Sequence, residues 1–234
     1  MDISVLVPTR NRPIQLKKLI ISVYETAFDP DNIEMCFYIN EDEKTVSVEV
    51  IESLGYKNIK FKCGERVIMG DLWNKAMELA TADILMLGND DFIFRSRDWD
   101  RYILEVFEKY EDKILYVYGK NGNPQQKSGT YGFLHRNWVN TVGYFTPPYF
   151  VSDGVDGWLN EVSLSLGRRV FVPEVFIEHM HFTLGKSAMD STYAERIADG
   201  VREREAGKRP YEEKAPERLD NIRRLQEFID NYGE

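Results

Sequence analysis

Residues 70–91 read GDLWNKAMELATADILMLGNDD. Leu72, Trp73, Ala76, Met77 and Ala80, with Met69 just before them, recur at three- and four-residue spacing, the apolar stripe of a helix. Residues 83–87 (DILML) then read as a short buried strand, cut off by the polar run Gly88-Asn89-Asp90-Asp91. A helix leading into a strand that is apolar on both faces is half of a parallel β/α unit. The same rhythm extends on both sides. Residues 3–8 (ISVLVP) form a first strand, and Asn11 and Pro13 cap and open a helix running to about Ala27 through Leu16, Leu19, Ile20 and Val23. Residues 33–40 (IEMCFYIN) are a second strand, 45–54 a helix stopped by Gly55, and 59–61 a third strand. Past the opening stretch, 99–110 is helical and 114–118 extended. The alternation predicts an α/β fold with a mostly parallel, Rossmann-type sheet covered by helices on both faces.

After Gly119 the pattern loosens into the loop NGNPQQKSG (121–129) and an aromatic-rich segment. A helix is expected over 156–166, with short strands at 169–172 and 175–178. From about Gly185 the chain is highly charged, and an apolar stripe returns only through Leu219, Ile222, Leu225, Phe228 and Ile229. This divides the chain into 1–184, with halves 1–118 and 119–184, and a mainly helical C-terminal extension, 185–234, that is solvated apart from its last helix. That helix offers a surface for homo-oligomer formation.

Composition narrows the function classes. The 234 residues carry 30 Lys and Arg against 39 Asp and Glu, a net charge of −9, which argues against a general nucleic-acid binder. At 43% hydrophobic and 13% aromatic the chain can bury a substantial core, yet no apolar run is long enough for an integral membrane segment. No basic segment precedes an apolar one at the start, so no secretory signal is expected. Cys36 and Cys63 supply neither a disulfide scaffold nor metal-motif spacing, which points to a cytoplasmic location.

In open parallel sheets ligands bind beyond the carboxyl ends of the strands, here residues 8–12, 40–43 and 88–91. The adjacent carboxylates of Asp90 and Asp91 repel each other and call for a cation or a dense set of donors. Either a hard divalent ion or an Asp-capped turn would account for them. At this point VLVPTRNR (5–12), the acidic cluster after the second strand, residues 70–91 and a distal Asp followed by His occur in an order that resembles the GT-A fold nucleotide-sugar glycosyltransferases of the inverting, family-two type. The resemblance is strongest over 1–92, looser over 130–182, and does not cover the tail.

That resemblance implies a nucleoside diphosphate sugar donor, a UDP-sugar in the first instance, a glycan or other hydroxyl acceptor, Mn²⁺ or Mg²⁺, and inversion at the anomeric carbon. Pro8, Thr9, Arg10 and Arg12 would line the nucleoside pocket, and Asn40, Glu41 or Asp42 would meet the base. Asn74 would help shape the pocket, and Asn89 would contact ribose or a coordinated water. Asp91, with Asp90, would hold the metal, completed by His179 or His181, which fall two apart in PEVFIEHMHF (173–182). In SDGVDGWL (152–159) Asp156 matches the family's general base, with Asp153 as rival, and Trp158 is placed at the acceptor subsite. Within GKSAMDSTY (185–193), Lys186, Ser187, Asp190 and Tyr193 suit a loop closing over the donor's diphosphate. Three positions depart from the family pattern: Gly88 replaces its first acidic residue, Trp73 its arginine, and Val155 the first acid before the base. These departures keep a non-catalytic nucleotide- or sugar-binding module of the same fold as the alternative. A nucleotidyltransferase is disfavoured because VPTRNRP lacks a glycine-rich phosphate loop.

Overall fold

The computed structural model describes residues 1–41 and 44–233. Strands β1 (Ile3–Thr9), β2 (Ile33–Asn40), β3 (Ile59–Gly64) and β4 (Ile84–Leu87) run parallel in the order β3-β2-β1-β4. The sheet continues from β4 through β7 (Phe133–His135), β6 (Tyr116–Lys120), β8 (Arg169–His179) and β5 (Phe92–Phe94), eight strands in all among the described residues. β7 is antiparallel to β4 and β6, β6 and β8 are parallel, and β5 is antiparallel to β8. The fold is thus the expected α/β, mostly parallel sheet with helices on both faces.

Alternation along the strands sends side chains to two cores. Ile3, Val5, Val7, Ile84 and Met86 pack under α1 (Pro13–Thr26), α2 (Lys44–Leu54) and α4 (Trp99–Glu108). Leu6, Leu85 and Leu87 face α3 (Met69–Met77), α5 (Arg136–Val142) and α6 (Val155–Ser165). The chain ends in α7 (Ser191–Glu205), the single turn α8 (Pro210–Glu213) and α9 (Ala215–Asp230). Among the described residues no helix is long and apolar enough to cross a membrane.

Four details differ from the reading of the sequence. Asn11 is not the cap of α1; it takes a left-handed backbone (φ +58°), and Arg12 occupies the cap position with Pro13 in the first turn. The loop so made turns the Arg12 side chain inward. β5 and β7, at three residues each, are too short to show a periodicity. The two strands expected over 169–178 are one, β8, whose pairing with β6 jumps from Gly119↔Val172 to Lys120↔Phe176. At that irregularity the Val175 carbonyl would lie 2.2 Å from a Cβ at position 119, so only glycine fits there. Lastly, the C-terminal extension is not solvated up to its last helix, because α7 buries Tyr193 and Gly200, while α9 packs as expected. Leu225 of α9 is fully buried beside α5 and α6, with Ile222, Phe228 and Ile229 packed on the same core, so most of that apolar stripe faces the chain itself and Leu219 is left exposed.

Candidate active site

The strand order reverses between β1 and β4, the place where open α/β sheets bind ligands. A cleft of about 650 Å³ opens there. Most of the residues singled out from the sequence converge on it: Pro8, Thr9, Arg10 and Arg12 from the end of β1, Asn40 from β2, and Asn89, Asp90 and Asp91 after β4. Asp153 and Asp156 reach it at the start of α6, and His179 and His181 at the end of β8.

The two aspartates have different surroundings. Asp90 is buried and satisfied: Thr9 Oγ1 donates to it at 3.0 Å and Arg12 Nη1 at 2.9 Å. Burial pushes its carboxyl up; Arg12 draws it back in part, and the charge of Asp91 adds to the rise. Asp91 accepts from the Tyr193 hydroxyl on one oxygen, whereas its Oδ1 is buried without a hydrogen-bond partner, 3.3 Å from His179 Nε2. Burial opposes ionisation of Asp91 too, but His179, Tyr193 and Arg12 outweigh it and hold the carboxyl well below its ordinary range. Arg12 is the counter-ion for both and adds a two-point contact with Asp190, Nε–Oδ2 2.8 Å and Nη2–Oδ1 3.0 Å, with its guanidinium 4.1 Å from the centre of the Tyr193 ring.

An ionised carboxylate oxygen whose nearest polar neighbour is an imidazole nitrogen 3.3 Å away fits a divalent cation that accepts mixed oxygen and nitrogen ligands. Among the described residues no cluster of three or more His, Cys, Asp or Glu could hold a metal alone. Such an ion would therefore be shared between Asp91, His179 and oxygens of a bound ligand. His181 stacks edge-on to His179, bonds Thr183 through Nδ1 at 2.8 Å, and is pushed down to about 4 by burial and by its neighbours His179 and Arg196.

The two candidate bases also separate. Asp156 sits in the first turn of α6 and accepts from the Gly157 amide at 2.9 Å. Burial raises its carboxyl, the amide pulls it back, and the charge of Asp153 raises it further. Asp153 is exposed at the rim, 3.8 Å from Arg196 Nε.

Several expected residues lie outside the cleft lining, Glu41 and Ser187 among them. Trp158 is 1% exposed and packs in the core beside Phe150, Tyr149 and Arg218, so it is unavailable to an acceptor. Lys186 binds Glu178 at 2.8 Å and the Gly122 carbonyl at 3.0 Å. Asn74 braces the wall from behind: its Oδ1 accepts from the Phe145 and Thr146 amides, and its Nδ2 donates to the Thr146 carbonyl at 2.8 Å. Glu41 is exposed at the end of β2, and Asp42 falls outside the described residues.

Two departures from the family pattern explain each other. Trp73 Nε1 donates to the Gly88 carbonyl at 2.6 Å, and a Cβ at position 88 would lie 2.8 Å from the Leu6 carbonyl and 3.0 Å from Val7 Cγ2. No side chain fits where the acidic residue was expected, and the indole secures the backbone there instead.

Several cleft residues escaped the sequence reading: Arg66 before α3, and Glu195, Arg196 and Asp199 of α7. The last three belong to the charged extension, whose sequence reads as solvated. Their spacing places Glu195 and Asp199 on one helical face, the only signal available.

Comparison with known proteins agrees with the fold. The sequence profile of glycosyl transferase family 2 matches residues 4–192. No curated protein matches the chain. Among solved structures, S. aureus TarS superposes with a TM-score of 0.62 at 15% identity over 98% of this chain and 50% of TarS. A TarS fragment (1–349) in complex with UDP gives 0.61 at 16% identity, over 76% of this chain and 60% of the fragment. The mannosyltransferase PcManGT from Pyrobaculum calidifontis, in complex with GDP-Man and Mn²⁺, gives 0.62 at 13% identity, over 97% and 84%. The chain thus spans half of TarS and about 60% of its fragment.

Proposed function

The chain belongs to glycosyl transferase family 2, and from that premise we propose that it transfers a sugar from a nucleoside diphosphate donor to a hydroxyl acceptor, with a divalent metal and inversion at the anomeric carbon. The observation that carries the reading is the lone oxygen of Asp91 facing His179 at the β1/β4 crevice, with a raised carboxyl, Asp156, on another wall of the same cleft. Pro8, Thr9 and Asn40 line the nucleoside end, with Asn89 beside the aspartates, and Arg10 contributes positive charge. Asp91 and His179 would hold Mn²⁺ or Mg²⁺, which supplies charge neutralisation to the departing diphosphate. UDP is the first donor to test, because a relative was solved with it, and GDP the second.

Asp156 acts as the base. The acceptor hydroxyl loses its proton to the carboxylate as its oxygen bonds to the anomeric carbon. The bond from that carbon to the diphosphate oxygen breaks, and the diphosphate leaves with the electron pair. A single displacement inverts the centre. Since only the carboxylate accepts a proton, and burial raises Asp156, activity falls on acidification at a pH above the ordinary Asp range.

NMR of turnover with UDP- and GDP-sugars, water serving as acceptor where no other is known, tests this. The expected outcome is a product of inverted configuration, with Asp156→Asn slower by about 10²-fold or more. A retained product, or Asp156→Asn as active as the parent, would refute it. Nucleotide binding without any turnover would favour the non-catalytic module.

A further inference from the structure

Glu195 and Asp199, one helical turn apart on α7, reach across the cleft to arginines on the opposite walls. Arg66 places Nη1 3.0 Å from Glu195 Oε2 and Nη2 2.9 Å from Asp199 Oδ2, so one guanidinium fork spans two carboxylates. Arg10 bonds the same Glu195 oxygen, and its carbonyl accepts from Thr192, so α7 is tied to both the β1 and the β3 loops. Two anionic groups side by side on a guanidinium fork have the charge and spacing of a diphosphate.

The charge of the cleft makes the same point. Among the described residues its lining holds four arginines and six carboxylates. A nucleoside diphosphate entering that lining meets net repulsion; a divalent metal at Asp91 only neutralises the excess, and the lining becomes net positive, as an anionic diphosphate requires, when Glu195 and Asp199 give up their places. Each of their ion pairs has at least one side chain more than a third exposed, Arg66 at 51% and Glu195 at 39%, where solvent screens the attraction. The Arg12–Asp90 pair, at 7% exposure on both sides, is not exchangeable in this way. Gly185 and Gly207, both at positive φ with open space around them, flank the segment that would have to move.

We infer that Arg66, together with Arg10, cradles the donor's diphosphate, and that Glu195 and Asp199 are internal stand-ins which the diphosphate displaces. The inference rests on the donor-site reading above and adds a donor-binding residue and a self-occupied resting state to it.

Calorimetric titration of UDP and of GDP, with Mn²⁺ present, into the intact chain and three variants tests it. Arg66→Gln is expected to weaken binding about tenfold, with Arg66→Lys keeping part of the affinity. The double variant Glu195→Gln/Asp199→Asn is expected to bind about fivefold more tightly, since the competing charges are gone, and its advantage should shrink in high salt. Unchanged or weaker binding by the double variant overturns the displacement, and unchanged binding by Arg66→Gln overturns the cradle. If Arg66→Gln fails to fold, the double variant, isosteric and partly exposed, carries the test. If the parent binds nucleotide but no variant differs from it, this inference alone falls. If neither parent nor double variant binds any nucleoside diphosphate, the donor-site reading falls with it.

Discussion

At the scale of single residues, the site is set by what each side chain can no longer do. Asp90 has spent its oxygens on Thr9 and Arg12, whereas Asp91 keeps one in reserve. Neighbours in sequence, they are equal on paper, and the partners the fold brings up separate them: Thr9 and Arg12 for Asp90, Tyr193 and His179 for Asp91. Gly88 shows the limit in the other direction. The family pattern reads a missing ligand there, but the Leu6 carbonyl and Val7 leave no room for one. Gly88→Asp is therefore expected to destabilise the protein by about 1–3 kcal/mol through overpacking. It should add nothing to Mn²⁺ affinity. Urea unfolding and metal titration of the variant check both; a stable variant with tighter metal binding would show that the space is not closed.

Elements are held in place by polar groups at the edge of the sheet far from the cleft. Glu34, fully buried at the start of β2, accepts from Ser4 of β1, from the Thr81 amide and hydroxyl before β4, and from Lys60 of β3 at 2.7 Å. It thereby ties four strands at their amino ends, so that their carboxyl ends meet at one level. Burial alone would raise this carboxyl; the Lys60 ammonium and the hydroxyl and amide donors outweigh it and hold it down at about 2. A folded value below the unfolded one, about 4.3, means that the stabilisation is complete above pH 4.3 and fades as pH falls towards 2. Glu34→Gln should lose about 1–3 kcal/mol near neutrality and flatten the acid limb of stability between those values. An unchanged acid limb in urea titrations at pH 2.5–7 would contradict it. This scale is also where the sequence was most legible. The parallel strands and the stripe of α3 follow from periodicity, because each buries a face against the layer beside it. β5 and β7 carry too few residues for that, and α7 turns charge towards the cleft, where periodicity of apolar residues has nothing to report.

At the scale of the whole molecule, one continuous sheet brings to a single crevice side chains from as far apart as Thr9 and Asp199. Residues up to Asp91 and from Asp153 to His181 were placed there by a resemblance that follows the order of motifs. The wall built by Arg66 and α7 was not, because ion pairs across a cleft leave no mark on local sequence. Asn74, Trp158 and Lys186 show the converse, since residues beside a motif can serve the scaffold behind it. The central claim is that this crevice binds a nucleoside diphosphate through a metal anchored on Asp91. Thermal shift with UDP, GDP, CDP and ADP, each with and without Mn²⁺, on the parent and on Asp91→Asn tests it most directly. Ligand at 100-fold over its dissociation constant stabilises by about 2.7 kcal/mol, enough to read as a shift. The account predicts stabilisation by one nucleotide that needs Mn²⁺ and disappears in Asp91→Asn. No shift with any nucleotide, or a shift that survives Asp91→Asn undiminished, would contradict it.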